Sequence, residues 1–438
     1  MSIVRRHPRA PAAVGWIVRT LEDAGFETWA VGGAVRDAIL GMDSVDWDLA
    51  TRARPEQVRG LFKRTVPIGI EHGTIGVLAR DGTLYEVTTF RRDVETHGRH
   101  ATVEFADRLD DDLSRRDFTI NAVAWHPLRD ELHDPFGGVA DLERGLLRTV
   151  GRPADRFAED YLRVLRALRF AGRLGLAIDA PTWTALTAAT DRLDVLSPER
   201  VREELLKVLG ADERPTRALT LYAESGVLAA LMPELAALVG APRPNRPVDG
   251  WSFALAAVEA LPLRRPLLRL AALLQLAGPR AAAQLLVRLR FANAQTELVA
   301  ALVGAGLGPP PRGAPAADLR RWLSRVGPAR LRDLTRLWCA QERVDRALGV
   351  PAPVDAAGAW RELRRELRDG APLRVGDLAL DGNDLIRAGL KPGPHFGHIL
   401  GALLERVLDD PALNHKDALL PLARELAEEG SEARGRRR

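Results

Sequence analysis

Two aspartates, Asp46 and Asp48, alternate with the apolar Trp47 and Leu49. In a strand, period two sends both carboxylates to one face and the apolar pair to the other. Carboxylates so placed repel each other unless a cation lies between them. Mg²⁺ suits them: it is hard, takes oxygen ligands, and commonly shares one or two carboxylates with substrate phosphates. Upstream, the apolar run Trp29-Ala30-Val31 predicts a strand, broken by Gly32-Gly33, with Ala34 to Leu40 helical. Without Cβ atoms the glycines let backbone approach phosphate oxygens, and the following helix N-terminus offers free N–H groups. Arg36 adds a charge-assisted clamp. Each piece alone also reads as a tight turn or a solvated strand edge. Together, in this order, they point to a phosphate-and-metal site that matches neither G-x-G-x-x-G nor G-K-[ST].

Other residues extend the same chemistry. Glu86, mid-strand, is either a third metal ligand or an outward-facing strand residue. Arg115-Arg116-Asp117 puts two cations and an acceptor together, fit for a triphosphate and a ribose hydroxyl, or for a local ion pair at a helix start. On a helix over Ala158 to Leu174, Arg163, Arg166, Arg169 and Arg173 share one face, with Glu159-Asp160 near its start. With few acids nearby to neutralise it, this stripe favours a phosphate or nucleic-acid role over a solvated face. His97 and His100 have no further ligands close in sequence, so zinc is not expected.

The elements that must position these residues change in kind along the chain. Val14 to Ala24 predicts an amphipathic helix and Pro55 to Phe62 a short one with proline in its first turn. Thr65 to Ile68, Thr74 to Leu78 and Leu84 to Phe90 predict strands, with a hairpin turn at Asp81-Gly82. Arg91 to Phe105 reads as a mobile loop and Leu113 to Trp125 as a helix. Beyond about Arg148 helical periodicity dominates, interrupted at Gly304 to Pro315. A Gly-Pro turn before a helix in the stretch Asp381 to Leu408 is a docking point for phosphates, and the end, GSEARGRRR, reads as a disordered basic tail.

The 438 residues suffice for two or more domains. Net charge is only +4, and the basic residues are almost all arginine: Lys63, Lys207, Lys391 and Lys416 are the lysines. The arginine bias reflects base composition more than function, so clustering of charge matters more than the total. The one cysteine, Cys339, excludes an intramolecular disulfide framework. No apolar run is long enough to span a bilayer, since Glu224 and Glu234 break the best candidate. No signal peptide and no protein partner are evident, and a cytoplasmic location is expected.

Taken together, VGGAVRD with Asp46 and Asp48, RRDFTINA (Arg115 to Ala122), EDYLR (Glu159 to Arg163) continuing as RVLRALRF, the connector DPFGGVADL and the late LKPGPHFGHIL resemble the class II tRNA nucleotidyltransferase and bacterial poly(A) polymerase family. The resemblance covers most of the chain. It implies an α+β fold: a polymerase-β-like nucleotidyltransferase head on a small mixed sheet, followed by an all-α neck, body and tail. The expected divisions are a catalytic head over 1–147, a neck over 148–210, a body over 211–303, a tRNA-binding tail over 304–430 and a disordered end over 431–438. By position, Asp46 and Asp48 would hold Mg²⁺, with Glu86 carried over as a less secure catalytic acid. Gly32, Gly33 and Arg36 would meet the triphosphate, Arg116 and Asp117 triphosphate and ribose, Asp160 and Arg163 the base, and Arg166 and Arg169 the nucleotide.

The implied activity is template-independent addition of CCA to the tRNA 3′ end from CTP and ATP, releasing pyrophosphate. Asp160 only accepts and Arg163 only donates, so the pair suits cytosine and adenine. A guanine or uracil carbonyl against the carboxylate would leave groups unpaired at about 1–3 kcal/mol each. EHGTIGVL (Glu71 to Leu78) and the uninterrupted Arg91 to Phe105 favour full CCA addition, with A-only addition, polyadenylation or an RNA-binding role as alternatives. No His-Asp pair follows His133-Asp134, so phosphohydrolase activity is not expected.

Overall fold

The structure is a computed structural model that describes residues 8–44, 46–70, 73–97, 100–210, 214–305, 308–351 and 355–435, with side chains left out of account for 93–103 and from 429 onward. It divides into two compact units, one of residues 1–236 with 288–290 and one of 237–287 with 291–438.

The first unit opens with helix α1 (Ala12–Asp23), whose Val14, Ile17, Val18 and Leu21 are buried. Strand β1 (Thr28–Val31) follows, then α2 (Gly33–Ile39), β2 (Asp48–Thr51) and α3 (Pro55–Leu61). Next come β3 (Thr65–Gly69), β4 (Thr74–Leu78) and β5 (Leu84–Thr89), then the ribbon β6 (Arg91–His97) and β7 (His100–Phe105). Helix α4 (Leu109–Ser114), strands β8 (Ala124–His126) and β9 (Glu131–His133), and α5 (Gly138–Arg144) close this half. Seven strands form one mixed sheet in the order β3-β4-β5-β2-β1-β8-β9. Only β2 and β5 run parallel; their neighbours are antiparallel. A core that includes Trp29, Val31, Ala50, Phe90, Leu113 and Ala124 packs against the β1, β2 and β8 part of the sheet.

After a short parallel pairing of β10 (Leu146–Leu147) with β11 (Ala177–Ile178), the unit is helical. Its helices are α6 (Pro153–Glu159), α7 (Leu162–Leu174), α8 (Ala180–Ala188), α9 (Pro198–Gly210), α10 (Pro215–Glu224), α11 (Val227–Leu231) and α12 (Pro233–Ala236). Helix α7 buries Val164, Leu165, Leu168 and Ala171 on the face predicted to be apolar.

The second unit consists of helices from Gly250–Glu259 through Lys416–Gly435. Its buried Arg320 binds the Leu408 and Asp409 carbonyls at 2.7 and 2.9 Å and Glu366 at 3.0 Å, an interior anchor among three helices. Helix His395–Asp409 begins just past the Gly-Pro turn, as its sequence predicts.

Four expectations need correction. The polar stretch from Arg91 to Phe105 is a two-stranded antiparallel ribbon rather than a loop, paired from Arg91↔Phe105 to His97↔His100. Leu113 to Trp125 is not a helix: α4 ends at Ser114, a single 3₁₀ turn covers Thr119–Asn121, and β8 begins at Ala124. The chain there joins β8 to the sheet, and Thr119 instead bonds the Arg148 carbonyl at 2.9 Å. The helix over Ala158 to Leu174 is broken at Asp160, which is extended at φ −155° and ψ 105°. The final stretch is helical to Gly435, with 436–438 outside the described residues. Glu71 and His72 of EHGTIGVL also lie outside them.

Candidate functional site

The sheet places the first functional residues where its strands end. Gly32 follows β1 with φ +79°, a conformation glycine adopts without strain. A Cβ there would stand 3.1 Å from Arg116 Nη1 and 3.6 Å from Asp48 Oδ2. Gly32 is thus the floor of a cradle with a guanidinium on one wall and a carboxylate on the other. Asp48 is the first residue of β2, opposite Val31. Asp46 precedes the strand in exposed coil, so the two acids do not share it as predicted, although Trp47 and Leu49 are buried as the alternation requires. Strand β1 ends at Val31, opposite Asp48, so Asp46 and Trp47 have no β1 residue beside them to hold them extended.

Asp48 is electrostatically frustrated. Burial, then the charges of Asp46 and Glu86, push its carboxyl up to about 6, with Arg116 pulling the other way. A divalent cation would relieve this cluster, and that is how the acids fit Mg²⁺. Among the described residues no three His, Cys, Asp or Glu side chains gather closely enough to cage an ion alone. That suits an ion whose remaining ligands are water and substrate phosphates.

The cationic wall is braced from behind. Asp112, on α4, bonds Arg115 at 3.2 Å and Arg116 at 3.0 Å. Burial works to raise its carboxyl, but Arg116 and Arg115 outweigh it and hold Asp112 below the usual carboxylate range. Arg36 is buried beneath Gly33, where it pairs with Asp37 at 2.6 Å and donates to Asn121 at 2.5 Å. Asp117 is buried too, and both its oxygens are taken: one accepts from Asn121 and the Phe118 N–H, the other from Arg166 at 2.7 Å. Burial opposes its charge, yet Arg166 and Asn121 keep its carboxyl low. In this state Asp117 positions Arg166.

The arginine stripe of α7 is paired throughout, contrary to the reading that few acids neutralise it. Arg163 bonds Glu159 at 2.5 Å and the Arg115 carbonyl at 3.1 Å. Arg169 bonds Glu204 at 2.6 Å and Arg173 bonds Asp37 at 3.2 Å. Asp37 and Glu204 come from α2 and α9, which no wheel drawn on one helix could show, whereas Glu159 stands four residues before Arg163, within reach of the sequence. Because the helix breaks, Glu159 ends α6 instead of starting α7, while Asp160 caps the Leu162 N–H at 3.1 Å. Asp160 is held by Arg200 of α9, at 3.0 and 2.6 Å through both guanidinium termini.

One cavity of about 520 Å³ collects Gly32, Gly33, Arg36, Asp48, Glu86, Arg116, Asp117, Asp160, Arg163 and Arg166. Asp46 and Arg169 are not in its wall; Asp46 reaches the site through its charge and Arg169 through Glu204. Residues missed from sequence also line it: Asp112, Asn121, Phe170 and Arg200. The Phe170 ring lies under three guanidinium groups, those of Arg36 at 4.9 Å, Arg166 at 5.3 Å and Arg169 at 4.3 Å. The i, i+3 and i, i+4 spacing of Asp112 to Arg115 and Arg116 could have found Asp112. No local spacing points to Arg200.

The family described as "Poly A polymerase head domain" matches residues 28–148, and "Probable RNA and SrmB- binding site of polymerase A" matches 175–238. A CCA-adding enzyme of Geobacillus kaustophilus is 36% identical over 423 residues, covering 92% of this chain and 94% of that one. One from Lactiplantibacillus plantarum is 35% identical, covering 94% and 95%. Among solved structures, the Bacillus stearothermophilus CCA-adding enzyme in complex with CTP superposes with a TM-score of 0.73 at 30% identity, over 97% of this chain and all of that one. The Thermotoga maritima CCA-adding enzyme complexed with tRNA shares the fold, with a TM-score of 0.56 at 21% identity over 97% of this chain and 100% of that one.

Proposed function

The chain belongs to the CCA-adding enzyme family, and from that premise we propose how its own residues carry out the addition of CCA to the tRNA 3′ end from CTP and ATP. The observation that carries the reading is the single cavity where an acid-and-glycine cradle faces a guanidinium wall and a base-reading acid.

The triphosphate lies over Gly32 between Arg116 and Asp48, with the field of buried Arg36 beneath it. Asp48, with Asp46 and Glu86 beside it, would hold Mg²⁺. When bound, the ion lowers the pKa of the RNA 3′-hydroxyl and offsets charge on the phosphates. The 3′-hydroxyl gives its proton to solvent water as its oxygen forms a bond to the α-phosphorus, the bond from the α-phosphorus to the bridging β-phosphate oxygen breaks, and pyrophosphate leaves toward Arg116 and Arg166. No covalent protein intermediate is required. At the other end, Asp160 accepts from the exocyclic amine of cytosine or adenine, and Arg163 donates to a ring acceptor. The carbonyl of uracil or guanine finds no donor on Asp160. We read the first unit as head and neck together with the first part of the expected body, to residue 236. We read the second as body and tail, contacting tRNA away from its end. No described helix is long and apolar enough to cross a membrane.

The test is to incubate purified protein with tRNA lacking CCA, with each NTP alone and then all four, and sequence the 3′ ends. CTP alone should give CC, and CTP with ATP should give CCA. Long A tracts on oligo(A) would replace this reading by polyadenylation.

A further inference from the structure

Pairing across the sheet sets one row of residues on the face that carries the acids. Val31 pairs with Asp48, the parallel register Leu49↔Val87 brings Asp48 beside Glu86, Glu86 pairs with Gly76, and Gly76 with Val66. Beyond Glu86 the row turns apolar. Ile68 and Leu84 close over Gly76, where a Cβ would meet them at 2.8 and 3.0 Å. Yet Val66 and Ile68 on the edge strand β3 and Leu84 at the start of β5 are each 42% exposed. Three large aliphatic side chains left open beside the catalytic acids call for an occupant.

In-line transfer identifies that occupant. The attacking oxygen and the leaving pyrophosphate lie on opposite sides of the α-phosphorus. The triphosphate anchors, Gly32 and Arg116, are on the β1 side of Asp48. The 3′-hydroxyl therefore arrives from the β5 side, over Glu86. Strands are spaced by about 4.8 Å, so Gly76 and Val66 lie roughly 5 and 10 Å beyond Glu86, the span of a ribose and its base. We propose that Val66, Ile68 and Leu84 form the platform on which the last nucleotide of the RNA primer rests, its base packed on the aliphatic side chains. The proposal rests on the site reading given above.

The chemistry of the platform fits the task. During one round of CCA addition the primer ends successively in the discriminator base, C and C. A surface that hydrogen-bonded one base edge would stall on another. Aliphatic packing excludes water from any base face and reads none of them. Gly76 keeps the platform low; a side chain there would lift Ile68 and Leu84 into the path of the primer.

Two measurements test this. Leu84→Ser and Ile68→Ser, single and combined, are assayed with a short hairpin RNA carrying a single-stranded 3′ end. The expected result is a 5- to 20-fold rise in primer KM, a CTP KM within twofold of the parent, and an unchanged melting temperature. The loss should be equal for primers ending in A, C, G or U. An unchanged primer KM, a parallel rise in CTP KM, or a loss confined to one base overturns the proposal. Separately, a primer ending in 4-thiouridine is photo-crosslinked to the parent protein, and the peptide carrying residues 64–88 should be labelled. Crosslinks only elsewhere overturn the platform. If the parent adds no nucleotide at all, it is the site reading that fails, and the crosslink still judges the platform.

Discussion

The carboxylate of Asp160 is gripped by both terminal nitrogens of Arg200, at 3.0 and 2.6 Å, across 40 residues of sequence. A bidentate guanidinium fixes the orientation of the acid. Asp160 can then only accept, which is the property base choice needs. Arg200→Ala should free the carboxylate to rotate and lower the preference for CTP over UTP about tenfold, equivalent to ~1.4 kcal/mol. In an Asp160→Ala background the same substitution should change that preference by less than twofold. Equal effects in both backgrounds would show that Arg200 acts elsewhere.

Asp48 predicts a conflict between stability and activity. Its folded pKa of about 6 lies above the usual 3.8. An acid raised in this way favours folding while protonated, so stability is highest below pH ~4 from this group and declines as pH rises toward 6. Above that, the cost is constant at about 2–3 kcal/mol as an upper bound. Asp48→Asn should raise the melting temperature of the metal-free protein at pH 7.5 while abolishing nucleotide addition. Added Mg²⁺ should stabilise the parent and not the variant. A lower melting temperature for the variant would remove the frustrated-acid argument.

The same residue sets a pH dependence for metal. Binding a cation requires the ionised carboxylate, so apparent Mg²⁺ affinity should fall about tenfold per pH unit below 6 and level off above it. At saturating Mg²⁺ the acidic limb of activity should move to lower pH. An acidic limb that ignores Mg²⁺ concentration would assign it to another group.

Gly32 gives a direct test of the cradle. Its φ of +79° disfavours any side chain, and a Cβ would sit 3.1 Å from Arg116 Nη1, in the space assigned to phosphate. Gly32→Ala should raise KM for CTP and ATP together by tenfold or more and leave their ratio within twofold. A change in the CTP to ATP ratio would move Gly32 into base selection.

What the sequence disclosed follows from distance along the chain. The Gly-Gly turn, Asp48 and the α7 arginines were readable because neighbouring residues decide their geometry. The acids that pair the arginines were not, since Asp37, Asp117 and Glu204 arrive from other elements. The break at Asp160 carries no glycine or proline to announce it. There the aspartate side chain competes with the helix for the Leu162 N–H, as short polar side chains do, and Arg200 holds it out. The ribbon from Arg91 to Phe105 was misread because its strands pair with each other outside the main sheet, leaving little apolar alternation to detect.

Helix α7 carries Arg163 and Arg166, which we assign to the nucleotide, and its placement depends on Gly172. That residue is buried in the helix interior, where a Cβ would fall 2.4 Å from the Ala218 nitrogen and 2.5 Å from its Cα. The obstacle is the backbone of α10 rather than a flexible side chain, so nothing nearby can yield cheaply. Gly172→Ala gains helix propensity of about 1 kcal/mol, but the overpacking costs about 1–3 kcal/mol or more. The net expectation is a destabilised protein with α7 pushed from α10 toward the cavity. Arg163 and Arg166 move with it, so selectivity among the NTPs should weaken alongside a lower melting temperature. Ala218→Gly removes the Cβ at 2.5 Å but not the backbone contacts, and should restore only part of either property. A Gly172→Ala protein that melts higher, with base choice intact, would show that the two helices separate freely and that the close contact does not hold the arginines in place.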